Sequence, residues 1–165
     1  MAHSHRSTWI MGPGAGTFGT ALAGALLLSL WTVRSPLGLA AESFRVVVNA
    51  SNPAGSVRAS QLSDMFLKKV DRWDAGFRVS PVDQAPDSAS RQAFSLAIHR
   101  KDVEAVKKYW RKLVFSGLGE PPPELGSDAA VLDFVGHNAG GVGYVSADAA
   151  VPDRVRVLKV VEDLK

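Results

Sequence analysis

Apolar residues recur along this chain with two different periods, and each change of period marks an element. "FRVVVNAS" (44–51) is a β-branched apolar run ended by Asn and Pro, which predicts a buried strand. "ASQLSDMFLKK" (59–69) sets Leu62, Met65 and Phe66 on one face at helical spacing, with Ser60 as the expected cap. "RWDAGF" turns the chain, and "FRVSPVD" (77–83) predicts a second strand carrying Val79 and Val82. "SASRQAFSLAIHR" (88–100) predicts a helix that buries Ala93, Phe94, Ala97 and Ile98.

The clearest helical stripe follows in "DVEAVKKYWRKLVFSG" (102–117), where Val103, Val106, Trp110, Leu113 and Val114 share a face. Asp102 and Glu104 lead it and Lys107, Lys108, Arg111 and Lys112 follow, the order a helix dipole favours. "LGEPPPELG" (118–126) cannot be helix and reads as a rigid connector. "SDAAVLDFVGHNAG" (127–140) predicts a helix capped by Ser127 and stopped by Asn138 and Gly140. "GVGYVSA" (141–147) and "RVRVLKV" (154–160) read as strands, the glycines of "GGVGY" allowing close backbone approach. Strands separated by helices imply an α/β sheet covered by helices, with the last strand a candidate for an antiparallel edge.

Charge and composition change this picture at the N-terminus. Residues 1–41 contain no Asp or Glu, and "ALAGALLLSLWTV" (21–33) is an uninterrupted apolar run followed by the small residues of "PLGLAA". A signal peptide over 1–41 is expected, with an uncleaved membrane anchor as the alternative, and 42–165 as an exported, periplasmic or secreted domain. Setting aside Arg6 and Arg34 reduces the 19 basic residues to 17, against 16 acidic, so no nucleic-acid partner is implied. Membrane association is expected only through the leader. The chain has no cysteine, which excludes disulfides and thiolate metal sites.

Candidate chemistry concentrates in "DQAPDSASRQAF" (83–94). One reading is a capped helix, with Asp87 or Ser88 accepting from an early N–H and Pro86 fixing the approach. The other is an anion cradle, in which helix-terminal N–H groups and the Ser88 and Ser90 hydroxyls face a ligand while Arg91 supplies charge. Its place beyond the carboxyl end of a strand suits the second reading. No enzyme is expected: Ser88 and Ser90 lack a nucleophile-elbow context, and nothing else in the loop supports Asp83 and Asp87 as an acid/base pair. The glycine-rich "GPGAGTFG" (12–19) follows no strand and lies in the leader, so it is no phosphate loop. His99 and His137 end helices and read as surface residues, and no metal or other cofactor is implied.

In order, "VVVNASNPAGSVRASQLSDMFLKKVDRW", "VSPVDQAPDSASRQAF", "YWRKLVFSGLGEPPP" and "NAGGVGYVSA" resemble the phosphate-binding-protein-like branch of type 2 periplasmic solute-binding proteins. Asn49, Asn52-Pro53, Met65-Phe66, Trp73, Ser88-Ala89-Ser90 and Gly141-Val142-Gly143-Tyr144 carry the resemblance over roughly residues 44–160. It implies a single lobe of the type 2 periplasmic-binding-protein fold, a mixed, mostly parallel sheet flanked by helices. It further implies oxyanion binding, phosphate first, in ABC-type uptake, with Ser88, Ala89, Ser90 and Arg91 as ligand-binding residues. A transporter permease, or a second lobe from a partner chain, is the implied partner. The departures are a length that suits one lobe, Asp83-Gln84 where the family has a basic residue, and Lys68 in place of a family glycine. The alternative is an envelope interaction or sensory module that keeps the lobe without the ligand, using the basic helix or the proline connector as its surface.

Overall fold

The computed structural model describes residues 43–163, so the expected leader lies outside the described residues. The strand β1 (Phe44–Asn49) is central to a four-stranded sheet. It pairs antiparallel with β6 (Gly141–Ser146), Phe44 opposite Ser146, and on its other side with β7 (Val155–Val157), Asn49 opposite Val155. The short β3 (Ser80–Pro81) adds to the far edge of β6 in parallel, and the order is β3-β6-β1-β7. Two smaller parallel pairs complete the strands: β2 (Ser56–Arg58) with β8 (Lys159–Val161), and β4 (Asp83–Gln84) with β5 (Glu124–Leu125). Among the described residues three of the five strand pairings are thus parallel, while both pairings made by β1, the longest included, are antiparallel.

The alternation of β1 decides the layers. Val46 and Val48 point into a core with α1 (Ala59–Phe66) and α2 (Ala89–Phe94), joined by Leu62, Met65, Phe66, Trp73, Phe94 and Tyr144. Val47 points the other way, to Val131, Leu132 and Val135 of α4 (Asp128–His137) and to Val145 of β6. Covering both faces explains why β1 is apolar at successive positions instead of alternating with polar ones. The helix α3 (Val103–Phe115) sits apart, packing Val106 and Trp110 against Leu67 just beyond α1.

Local signals place several boundaries. The Asp102 Oδ1 accepts from Ala105 N at 2.7 Å and Ser127 Oγ from Ala130 N at 3.2 Å, so both expected caps form. The α1 cap differs: Ser60 donates its hydroxyl to Asp163 at 2.5 Å, and its N–H donates to the same carboxylate at 3.2 Å. A side chain from beyond β8 therefore performs the task assigned to Ser60. Close approach explains two glycines of β6 and its lead-in. A Cβ on Gly140 would stand 1.8 Å from the Arg78 carbonyl oxygen, and one on Gly143 would stand 2.7 Å from Val131.

Three strand expectations are corrected in detail. The stretch 77–83 is not one strand, because β3 pairs with β6 whereas β4 pairs with β5, on either side of Val82. The proline connector contains β5. The terminal run splits at buried Leu158 into β7 and β8, which join different sheets. Val114 leaves the core as well: the helix outruns its support, and Val114 is 51% exposed.

Candidate functional site

The loop 83–91 is built on a buried polar network at the carboxyl ends of β4 and β6. Asp83 and Arg91 are both buried, and the guanidinium pairs with Asp83 Oδ1. Beside the pair lies Tyr144, whose hydroxyl donates to Asp83 Oδ1 at 2.6 Å and accepts from Gln84 N at 3.1 Å and Arg91 Nη1 at 3.3 Å. Burial pushes the Tyr144 phenol up to about 12, so it remains a donor at physiological pH. Its ring stacks on Phe94 with centroids 4.0 Å apart and planes 10° from parallel. That stack fixes the hydroxyl that organises the loop.

Gln84 carries the network outward. Its Nε2 donates to Asp128 Oδ1 at 2.7 Å and to the Tyr144 carbonyl at 3.0 Å, and its Oε1 accepts from the Ser88 hydroxyl. Asp128, first residue of α4, also accepts from the N–H and hydroxyl of Ser146. One glutamine thus ties the amino ends of α2 and α4 together.

Each expected ligand-binding residue has a definite place. Ser88 is the N-cap of α2: its Oγ accepts from Arg91 N at 3.4 Å while its proton goes to Gln84. Ala89 is exposed and Ser90 buried. Among the described residues no acceptor lies on the N–H groups of Ala89 or Ser90. Arg91 turns inward to Asp83, leaving its buried Nε without a partner. The loop is therefore both a capped helix start and a pair of free N–H donors. Its cation is already neutralised inside the protein. With Asp87 exposed beside it, the loop is a hydrogen-bonding cradle rather than a positive trap.

The buried pair meets the surface through a groove of about 440 Å³ between α3 and the proline connector, walled by Lys107, Trp110, Arg111, Phe115 and Pro121. His99, expected at the surface, is instead buried at the end of a π-helical stretch (Ser95–His99) that continues α2. Its Nδ1 lies 2.9 Å from Ser63 Oγ. Burial, reinforced by the positive charges of Arg91, Lys101 and Lys69, lowers its pKa to about 4. Asn49 and Asn52 prove structural. Asn49 Nδ2 donates to the Val135 and Gly136 carbonyls at the end of α4, and Asn52 Oδ1 accepts from Ala54 N at 3.0 Å.

Sequence reading missed Gln84, Tyr144 and Asp128 as organisers. Their only local signal is a polar pair directly after an apolar strand and a tyrosine in a glycine-flanked one. The pairings of Gln84 with Asp128 and Tyr144 that give them meaning span 44 and 60 residues.

No family model matches the sequence. No curated protein matches it either. Solved structures do match. A candidate phosphate ABC transporter substrate-binding protein from Clostridium perfringens, with bound phosphate, superposes with a TM-score of 0.57 at 20% identity, covering 72% of this chain and 44% of that one. An ABC-type phosphate transport receptor from Vibrio cholerae gives 0.56 at 18% identity, covering 72% and 46%. A possible phosphate binding protein from Planctomyces limnophilus gives 0.53 at 15%, covering 73% and 42%. This chain spans less than half the length of each. Residues 43–163 are accordingly an α/β domain with the fold of part of these substrate-binding proteins.

Proposed function

We propose that this protein is an exported, single-lobe member of the solute-binding type that contacts an oxyanion, phosphate first, at Ser88–Arg91, serving an ABC-type uptake system. The observation that carries this reading is the loop itself. It offers the free N–H groups of Ala89 and Ser90 at the start of a helix, beyond the carboxyl end of β4, in a fold shared with phosphate-binding proteins. Binding by this lobe alone is weak. A helix terminus gives an exposed anion about 0.3–1 kcal/mol, whereas micromolar affinity requires roughly −8 kcal/mol. Arg91 adds little, because Asp83 holds it. The remaining affinity comes from a second surface, another lobe or a permease, that closes over the loop.

Titration calorimetry with inorganic phosphate tests this. Wild type should release measurable heat in the millimolar range, and Ser90→Ala should weaken it. Absence of heat at millimolar phosphate, or a wild type indistinguishable from the Ser88→Ala/Ser90→Ala variant, removes the oxyanion role.

A second reading, a non-catalytic envelope interaction module, is favoured by a different observation. Phe115 is 89% exposed and Leu118 75%, at the basic end of α3.

A further inference from the structure

The apolar stripe of α3 continues past the body of the domain. Val103, Val106 and Trp110 are buried, Leu113 is half-buried, and then Val114, Phe115 and Leu118 stand 51%, 89% and 75% exposed around the turn that ends the helix. Gly117 makes that turn, with φ at +65°. Three large apolar side chains on one protruding turn are unlike the scattered exposed leucines of an ordinary surface. Cations surround them. Lys108, Arg111 and Lys112 are exposed on the last two turns of the helix, and Lys68 reaches the neighbouring connector at the Pro121 carbonyl. The acidic groups nearby are Glu104, which pairs with Lys107 at 2.9 Å, and Glu120 and Glu124 of the connector. Cations outnumber them.

Charge complementarity decides between occupants. A second copy docked by the same patch would bring Lys108, Arg111 and Lys112 against themselves, and like charges at a two-fold interface oppose it. An anionic bilayer meets both halves of the pattern. Cations settle among lipid phosphates while a small apolar wedge enters the region between headgroups and acyl chains. Phe115 has the exposure such a wedge needs.

We propose that the tip of α3, residues 108–118, docks the domain on the surface of an anionic phospholipid bilayer, with Phe115 and Leu118 inserted and Lys108, Arg111 and Lys112 in the headgroup layer. Arg111 and Phe115 also wall the groove that reaches Arg91, but the docking proposal uses no oxyanion contact and is tested without one. It also differs from attachment through the leader, because the contact lies within the folded domain.

The test must therefore report on the tip alone. The chain has no cysteine of its own, so a Ser116→Cys substitution places a single environment-sensitive fluorophore there in the full-length protein. Vesicles of phosphatidylcholine are compared with vesicles of phosphatidylcholine and phosphatidylglycerol. In the anionic vesicles the probe should shift to the blue and be quenched by lipids labelled near the headgroup. Lys108→Glu/Arg111→Glu/Lys112→Glu should lower the lipid dependence of that signal roughly tenfold or more. Phe115→Ser/Leu118→Ser should abolish the quenching. These positions are exposed, so circular dichroism should confirm an unchanged fold. A probe that stays in water on anionic vesicles overturns the proposal. So does an equal response to neutral vesicles that survives charge reversal, or sedimentation showing a dimer that Phe115→Ser disrupts. An acidic protein that protects the tip, while lipid does not, has the same consequence.

Discussion

The Tyr144 hydroxyl donates to Asp83 Oδ1 at 2.6 Å, inside the core, while the Asp83 carboxylate is also paired with Arg91. Removing the hydroxyl alone leaves the pair in place but withdraws one hydrogen bond from each partner and one acceptor from Gln84 N. Tyr144→Phe should cost about 1–3 kcal/mol in urea unfolding. A loss of only a few tenths would show that the network relaxes around the gap.

Breaking the pair is a larger perturbation. Arg91→Met leaves Asp83 charged, buried and unpaired, and should cost about 3–5 kcal/mol. The double variant Asp83→Leu/Arg91→Met should recover most of that loss, since two apolar side chains replace two desolvated charges. A double variant no more stable than Arg91→Met alone would count against the buried ion pair.

His99 makes stability depend on pH in a defined direction. In the unfolded chain it titrates near 6.5, and in the folded protein burial lowers this to about 4. Within that window the unfolded chain takes up a proton that the folded one refuses, so stability is present above the window and falls as pH drops through it. The loss should reach on the order of 3 kcal/mol by about pH 4. Urea midpoints of wild type and His99→Gln, compared at neutral pH and in acid, should show the slope reduced in the variant.

Lys68 follows the C-terminus of α1 with φ at +53°, and its N–H donates to the Met65 carbonyl at 3.1 Å. A side chain in this left-handed conformation costs roughly 1 kcal/mol that glycine avoids. Lys68→Gly should therefore raise stability by about 0.5 kcal/mol after the added freedom of the unfolded chain is counted. Gly140→Ala should do the opposite and more strongly. Its Cβ would collide with the Arg78 backbone oxygen, and a loss of about 3 kcal/mol or more is expected, readable as a lowered thermal midpoint.

What the sequence makes legible here is what neighbours in the chain decide. Asp102 and Ser127 cap their helices three residues ahead, and Asn138 ends α4, because those hydrogen bonds close within one turn. The apolar runs of β1 and β6 mark a sheet covered on both faces. The misreadings have distant causes. The two short strands β3 and β4 are defined by Gly141 and Glu124, and the Pro-rich run around Glu124 hides the latter pairing. Val114 obeys the helical period, yet periodicity does not tell how far the supporting surface extends. The site shows the same division. Ser88 as a cap is a local fact. The capture of Arg91 by Asp83 takes place in a core that Tyr144 helps to close, 53 and 61 positions along the chain from the two partners.

A π-helix closes its hydrogen bonds over one residue more than an α-helix does, i→i+5 in place of i→i+4, and the stretch Ser95–His99 places that surplus between Phe94 and Arg100. On an ordinary helical wheel His99 falls outside the arc shared by Phe94 and Ile98; the wider coil swings it in beneath Ser63. A regular α-helical wheel over the same residues would instead turn the imidazole out towards water. The acid sensitivity of this domain is thus written in a phase slip of its backbone.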